Sequence, residues 1–227
     1  MNESTFPRLT PLGDMALLLQ LGGQIDTQLN ARVHALARSL AGMDVDGLGE
    51  CVPGYASLLI NYDPLRLDRE EVAERIFAAL DTLELRTENP KVVEIPVIYG
   101  GEFGPDLETV AKHNKLSIAE VVRLHSQPLY PVYFIGFLPG FPYLGGLDPA
   151  IACPRLDTPR PAIPAGSVGI AGNQTGIYPS ESPGGWRIIG RTPLKLFDWC
   201  RQPPALLAPG DQVRFIPISA EEFERAA

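Results

Sequence analysis

The uneven spacing of glycine and proline constrains the fold of this chain more than any other feature. Residues 1–90 contain 12 of them, whereas residues 128–217, a stretch of equal length, contain 28. Proline removes a backbone donor and blocks helix continuation, and glycine weakens a helix interior. The second stretch therefore cannot sustain helices of ordinary length, while the first can. With 227 residues the chain is long enough for two modest domains, each with its own core. The sequence thus reads as α+β, with a change of domain between the two stretches.

In the first stretch, the apolar segment from Asp14 to Leu21 stops at Gly22-Gly23 and suits a strand. Ile25, Leu29, Val33, Leu36 and Leu40 recur at spacings of three and four, which predicts an amphipathic helix. Residues 52–62 read as two strands about a turn at Pro53-Gly54. Asp68 is an N-cap candidate with Glu71 three residues on, opening a helix that buries Val72, Ile76, Phe77 and Leu80. A strand over residues 92–99 then completes a β-α-β-β-α-β order, the ferredoxin-like arrangement, over residues 1–98. Such a fold by itself says nothing about function.

Residues 99–128 read as a helical insert. A loop at residues 100–106 precedes a helix over residues 107–114, and the capping box Ser117…Glu120 opens another that runs to about His125. From residue 129 to 227 short strands alternate with turns, at 132–138, 162–164, 167–171, 175–178, 186–192 and 212–218. This pattern favours a closed barrel or a sandwich.

Charge and cysteine usage exclude several function classes. The net charge is −8 at pH 7, and no run of Lys or Arg offsets it, so neither nucleic acid nor an anionic membrane is an expected partner. No signal-like apolar run occurs in residues 1–11 and no stretch has bilayer length, which predicts a cytoplasmic protein. Cys51, Cys153 and Cys200 are widely spaced without a C-x-x-C pair. They read as buried reduced thiols rather than a disulfide framework or a zinc site, and no metal site is expected.

Four groups of residues carry candidate chemistry. Residues 136–146 combine three aromatics with six glycines and prolines, so Phe141 and Tyr143 either line a pocket for a flat amide-bearing ligand or brace a loop. In residues 164–176, Gly166, Gly169, Gly172 and Gly176, with Ser167 among them, could present backbone N–H groups to an anion or a developing oxyanion; equally, they could make tight barrel corners. No nucleotide fingerprint is present there. Gln174 and Thr175 pair donor and acceptor groups suited to a lactam or a urea-like amide, and Tyr178 to Trp186 adds further polar groups. His125, at a predicted helix end beside Ser126, should meet the helix dipole and titrate near neutrality, whereas His34 and His113 read as surface or edge residues. Arg155 and Arg160 either pair with carboxylates or neutralise an anionic substrate or phosphate, and the sequence leaves that choice open.

Taken in order, His125-Ser126, Gly136-Phe137 with Pro139-Gly-Phe-Pro-Tyr-Leu144, Pro164-Ala-Gly-Ser-Val-Gly169, Gln174-Thr-Gly176, Tyr178-Pro179 and Pro183-Gly-Gly-Trp186 resemble the family of 5-oxoprolinase B subunits, also called KipI or allophanate hydrolase subunit 1. The likeness covers nearly the whole chain and is most specific between Pro96 and Pro217. Leu138 departs from the polar residue expected in many relatives. The resemblance implies a ferredoxin-like domain followed by a cyclophilin-like β-barrel. It implies work with a 5-oxoprolinase C subunit of related barrel architecture and a separate A subunit, opening 5-oxoproline to glutamate with ATP in the complex, and allows for Mg²⁺ alongside the nucleotide. On that reading Gln174 and Thr175 read the amide, the loop from Gly166 to Gly176 cradles an anion and His125 transfers a proton. Phe141, Tyr143, Arg155, Arg160, Ser167, Gly169, Gly172, Tyr178 and Trp186 then contact substrate. Two alternatives follow from the family: inhibition of a sensor histidine kinase through an apolar patch around Phe137 and Phe141, or handling of a urea-derived amide such as allophanate. The Phe-His-Arg signature of active cyclophilins is missing, so prolyl isomerisation is not expected.

Overall fold

The computed structural model describes residues 6–85 and 90–226. These fall into two compact units that divide at Pro90.

The first unit contains β1 (Arg8–Pro11), β2 (Ala16–Gln20), α1 (Thr27–Ala41), β3 (Leu48–Pro53), β4 (Ser57–Tyr62) and α2 (Arg69–Asp81). Both helices start where a carboxylate satisfies an orphan backbone donor: Asp26 Oδ1 accepts from Leu29 N and Asp68 Oδ1 from Glu71 N, each at 2.9 Å. Ile25 therefore lies outside α1 and is exposed, as is Phe77 on α2. The sheet has the order β1-β2-β4-β3 and is antiparallel throughout. Alternation turns Leu17 and Leu19 of β2 and Leu58, Ile60 and Tyr62 of β4 into one core with Val33, Leu36, Leu40, Val72 and Ile76 of the helices.

This unit departs from the expected ferredoxin-like order. The strand over residues 92–99 does not complete its sheet, and the edge beside β2 is held instead by β1, giving β-β-α-β-β-α. The reason lies in pairing: β5 (Val92–Tyr99) runs parallel to the distant β13 (Gln212–Pro217) through six residue pairs and belongs to the second unit. The boundary consequently falls before β5 rather than after residue 98.

The second unit continues with α3 (Leu107–Asn114), α4 (Ile118–Ser126), β6 (Tyr130–Ile135), β7 (Pro142–Leu144), β8 (Arg160–Ile163), β9 (Ser167–Ala171), β10 (Gln174–Ile177), β11 (Ser182–Gly184) and β12 (Arg187–Arg191), and ends with β13 and α5 (Ala220–Ala226). Seven strands close a barrel in the order β10-β7-β6-β13-β5-β12-β9, while β8 and β11 pair as a separate ribbon. The helices α3 and α4 are not a free-standing insert. Their Leu107, Val110 and Val121 join Ile95, Tyr130, Val168, Ile170 and Phe215 in the barrel's own core. Among the described residues all three cysteines are free; Cys153 is buried as expected, Cys51 is half-buried and Cys200 is exposed. No described helix is long and apolar enough to cross a membrane.

Candidate functional site

Short strands at one side of the barrel gather aromatic rings into a second apolar cluster of Phe141, Ile163, Ala171, Tyr178, Trp186 and Ile188. Phe141 is fully buried and sits edge-on to Phe137, Tyr178 and Trp186, with centroids 5.5, 5.3 and 5.6 Å away. Edge-to-face contacts of this kind hold ring orientations as well as bury area. Gly176 leaves room for the assembly: a Cβ there would stand 3.1 Å from both the Phe141 and Trp186 rings, a tight approach. Gly169 has the same role against Trp186 Cβ, also at 3.1 Å.

Beside this cluster lies a cavity of about 290 Å³, lined by Phe137, Phe141, Tyr143, Arg155, Pro159, Tyr178, Pro183, Gly184 and Trp186. Its size is at the lower end of the roughly 300–1,000 Å³ typical of ligand sites, which suits a metabolite. Burial pushes the Tyr178 phenol up to about 12, partly offset by the Trp186 backbone N–H, and burial also raises Tyr143. Both remain O–H groups at neutral pH, able to donate and accept. The Arg155 guanidinium stands 5.9 Å from the Trp186 ring centroid, within cation–π range. None of the lining residues is acidic.

Phe137 lines this cavity at a conformational cost. It is 61% exposed and adopts φ 66°, a left-handed backbone that a Cβ disfavours by roughly 1–2 kcal/mol. Strain of this sort persists where a site requires it. Phe137→Gly is accordingly expected to be about 1 kcal/mol more stable in urea than Phe137→Ala, since both lose the ring and only glycine relieves the backbone. Equal stability of the two variants would show that no strain is held there.

The sequence-derived catalytic trio is arranged differently from expectation. His125 is fully buried at the last turn of α4; its Nδ1 lies 2.8 Å from Tyr99 Oη and its Nε2 2.9 Å from Thr175 Oγ1. Thr175 donates its one hydroxyl proton to Gly169 O at 3.0 Å. The threonine must then accept from His125, which places the imidazole proton on Nε2 and leaves Nδ1 to accept from Tyr99. Burial lowers the His125 pKa to about 3 and drives that of Tyr99 well above the ordinary phenol value. The chain Tyr99–His125–Thr175–Gly169 is a neutral strut tying β5, α4, β10 and β9 together. A proton-transfer role near neutrality needs an accessible, titrating ring, and burial removes both properties. Gln174 is half-buried and neighbours Thr175 in an alternating strand, so the two side chains face opposite sides of β10 and do not form an amide-reading pair.

The glycine-rich segment is likewise structural. Gly166 N donates to Tyr178 O at 2.7 Å, Gly172 N to Cys153 O at 2.8 Å, and Gly169 and Gly176 lie within the β9–β10 ladder. Gly166, at φ 81°, turns the chain where a Cβ would strike Thr192 O. Ser167 is buried at the start of β9. These donors already have partners within the barrel, so the segment offers no cradle to an anion. Arg160 is also engaged: its Nη1 and Nη2 each donate at 2.8 Å to the two oxygens of buried Asp106, whose Oδ2 further accepts from Ile188 N at 2.7 Å. This fork pins the β8–β11 ribbon, one wall of the cavity, to the barrel. Of the expected substrate contacts, the structure brings together Phe141, Tyr143, Arg155, Tyr178 and Trp186, and adds Phe137, Pro159, Pro183 and Gly184.

Comparison with known proteins places this architecture. The family described as "Carboxyltransferase domain, subdomain C and D" matches residues 7–207. A 5-oxoprolinase B subunit of Bacillus subtilis is 46% identical over 95% of both chains, and one of Escherichia coli O157:H7 is 44% identical over 91% of this chain and 94% of its own. Among solved structures, TTHA0988 superposes with a TM-score of 0.80 at 42% identity, over 90% of this chain but only 40% of that longer chain. A conserved Pyrococcus horikoshii protein, PH0987, is 52% identical over 95% of this chain and all of its own, at a TM-score of 0.58. By sequence and by structure, the chain belongs to the family of 5-oxoprolinase B subunits, within the proteins that carry the carboxyltransferase C and D subdomains.

Proposed function

We propose that this chain is the B subunit of an ATP-dependent 5-oxoprolinase, acting in the cytoplasm with the C and A subunits of that enzyme. In the overall reaction, 5-oxoproline, ATP and water yield glutamate, ADP and phosphate. Water supplies the oxygen to the lactam carbonyl carbon, the C–N bond breaks, and the released nitrogen takes up a proton. The carrying observation is the 46% identity that spans 95% of both this chain and a relative of that name. The aromatic cavity supports it. Phe141, Tyr178 and Trp186 offer faces and edges for a small flat ring, and the tyrosine hydroxyls suit an amide that both donates and accepts.

The residues of the cavity do not fit a nucleotide. Triphosphates are held by several backbone N–H donors and more than one cation, whereas the glycine N–H groups here are paired within the barrel and Arg155 is the one cationic lining residue among those described. We therefore assign ATP, and any Mg²⁺ that accompanies it, to the partner subunits. TTHA0988 extends well beyond the matched region, which is consistent with a module that works joined to further chain.

The test is glutamate formation from 5-oxoproline by this chain mixed with its cognate A and C subunits, omitting each in turn. Turnover is expected only with the full set. A well-folded, complete set that forms no glutamate would refute the reaction and turn attention to the exposed Phe137 as a docking residue for a kinase. A urea-derived amide is the second reading, favoured by a Lachancea kluyveri urea amidolyase that is 27% identical over 94% of this chain, though over only 13% of its own length. Allophanate turnover exceeding that of 5-oxoproline in the same mixture would select it.

A further inference from the structure

The two arginines that the sequence leaves equivalent are separated by the structure. Arg160 is held in a bidentate pair with Asp106. Arg155 forms no ion pair among the described residues, and its guanidinium rests over the Trp186 face at the edge of a cavity without acidic groups. A guanidinium beside apolar rings, with its donors open, is suited to a two-pronged contact with a planar anion.

We propose that the cavity binds a small cyclic amide bearing a carboxylate, with the ring against Phe141 and Trp186 and the carboxylate on Arg155. The choice of a lactam ring rests on the 5-oxoprolinase reading; the demand for an anion rests on the cavity itself. Other ligand classes fit less well. An aromatic cage without Arg155 would suit a cationic ligand, but here the fixed cation repels one. Arg155 is exposed, so a neutral amide would leave its guanidinium to water and make no use of the one charge that lines the cavity. A phosphate would call for the backbone donors that Gly166 and Gly172 already direct at Tyr178 O and Cys153 O. Arg155 is thus a specificity-determining residue, selecting the amide acid over the bare amide.

Trp186 provides the readout. The chain has two tryptophans, and the other, Trp199, is 83% exposed and lies outside the cavity, so Trp199→Phe isolates the Trp186 signal. Titration of that chain with 5-oxoproline is expected to quench fluorescence saturably. Arg155→Gln should weaken the binding at least tenfold, and Arg155→Lys, which keeps the charge but not the fork, should weaken it less. The lactam without a carboxylate, 2-pyrrolidinone, should bind at least tenfold more weakly and be indifferent to Arg155→Gln. Absence of saturable quenching, equal binding by Arg155→Gln, or displacement of 5-oxoproline by equimolar inorganic phosphate would each overturn the proposal. The reconstituted complex keeps this failure distinct from failure of the reaction. Glutamate formation with an unchanged KM in Arg155→Gln would remove the carboxylate contact and leave the reaction standing. Saturable binding in a chain whose complete complex is inactive would remove the reaction and leave the site.

Discussion

Arg160→Ala is expected to destabilise the barrel unit by about 3 kcal/mol, lowering its melting temperature by roughly 6–12 °C. The substitution leaves the Asp106 carboxylate buried and without its cation, and removing one partner of a buried pair generally costs more than the pair itself contributes. The Arg160 side chain is 31% exposed, which sets the figure at the low end of the range for such pairs. Asp106 still accepts from Ile188 N, so the loss concentrates on the ribbon of β8 and β11 rather than on the barrel wall. Proteolysis should therefore begin near Pro159 before the rest of the unit opens, and the cavity should lose its ligand in step. Removing both partners, Arg160→Ala with Asp106→Ala, should cost less than the sum of the two single changes, because no charge is then left buried. A strictly additive cycle, or a melting temperature unmoved in Arg160→Ala, would show that the fork does not hold the ribbon.

Acid is expected to weaken the barrel earlier than carboxylate titration alone would. The His125 pKa is about 3 in the folded chain and about 6.5 when unfolded, so below neutrality the unfolded state takes up a proton that the folded state refuses. The stability is fully present above the unfolded value and falls as pH drops towards 3, by up to roughly 1.4 kcal/mol per pH unit. Between pH 7 and pH 5 the loss should be about 2 kcal/mol. Urea denaturation at the two pH values measures it. His125→Gln should be less stable at pH 7, with Tyr99 and Thr175 poorly satisfied, but should lose far less on going to pH 5. Where that variant does not fold, calorimetric unfolding of the native chain at pH 5 in buffers of different ionisation enthalpy reads the proton uptake directly. No uptake would mean that His125 is already protonated in the fold.

The helices are the most legible part of the sequence because their signals are local. Asp68 with Glu71 and Ser117 with Glu120 mark helix starts through contacts three residues apart, and the structure has those same contacts. The strand at residues 92–99 is legible as a strand but not as a barrel strand, since its partners β12 and β13 lie at the other end of the unit. β1 escapes sequence reasoning because four residues, two exposed and two half-buried, that end in a proline resemble a loop. The aromatic segment at residues 136–146 identifies the cavity wall, because rings crowded among glycines and prolines have few other uses. His125 misleads for the opposite reason. Its place at a helix end is visible locally, whereas its burial against Phe215, with ring centroids 4.5 Å apart, depends on the final barrel strand. The difference between Arg155 and Arg160 is equally hidden, for Asp106 stands 54 residues from its partner.

The parallel pairing of β5 with β13 also dictates the order in which the molecule can be made. β13 lies between β5 and β6, so the barrel remains an open sheet until its last strand emerges. Until then β5 and β6 each present an unpaired edge, the form of a chain most prone to joining a neighbour. The first unit, built wholly from residues before Pro90, has no such wait. Synthesis thus delivers a finished α+β unit followed by a barrel that closes in a single late event, and the nascent chain most needs protection in the interval between them.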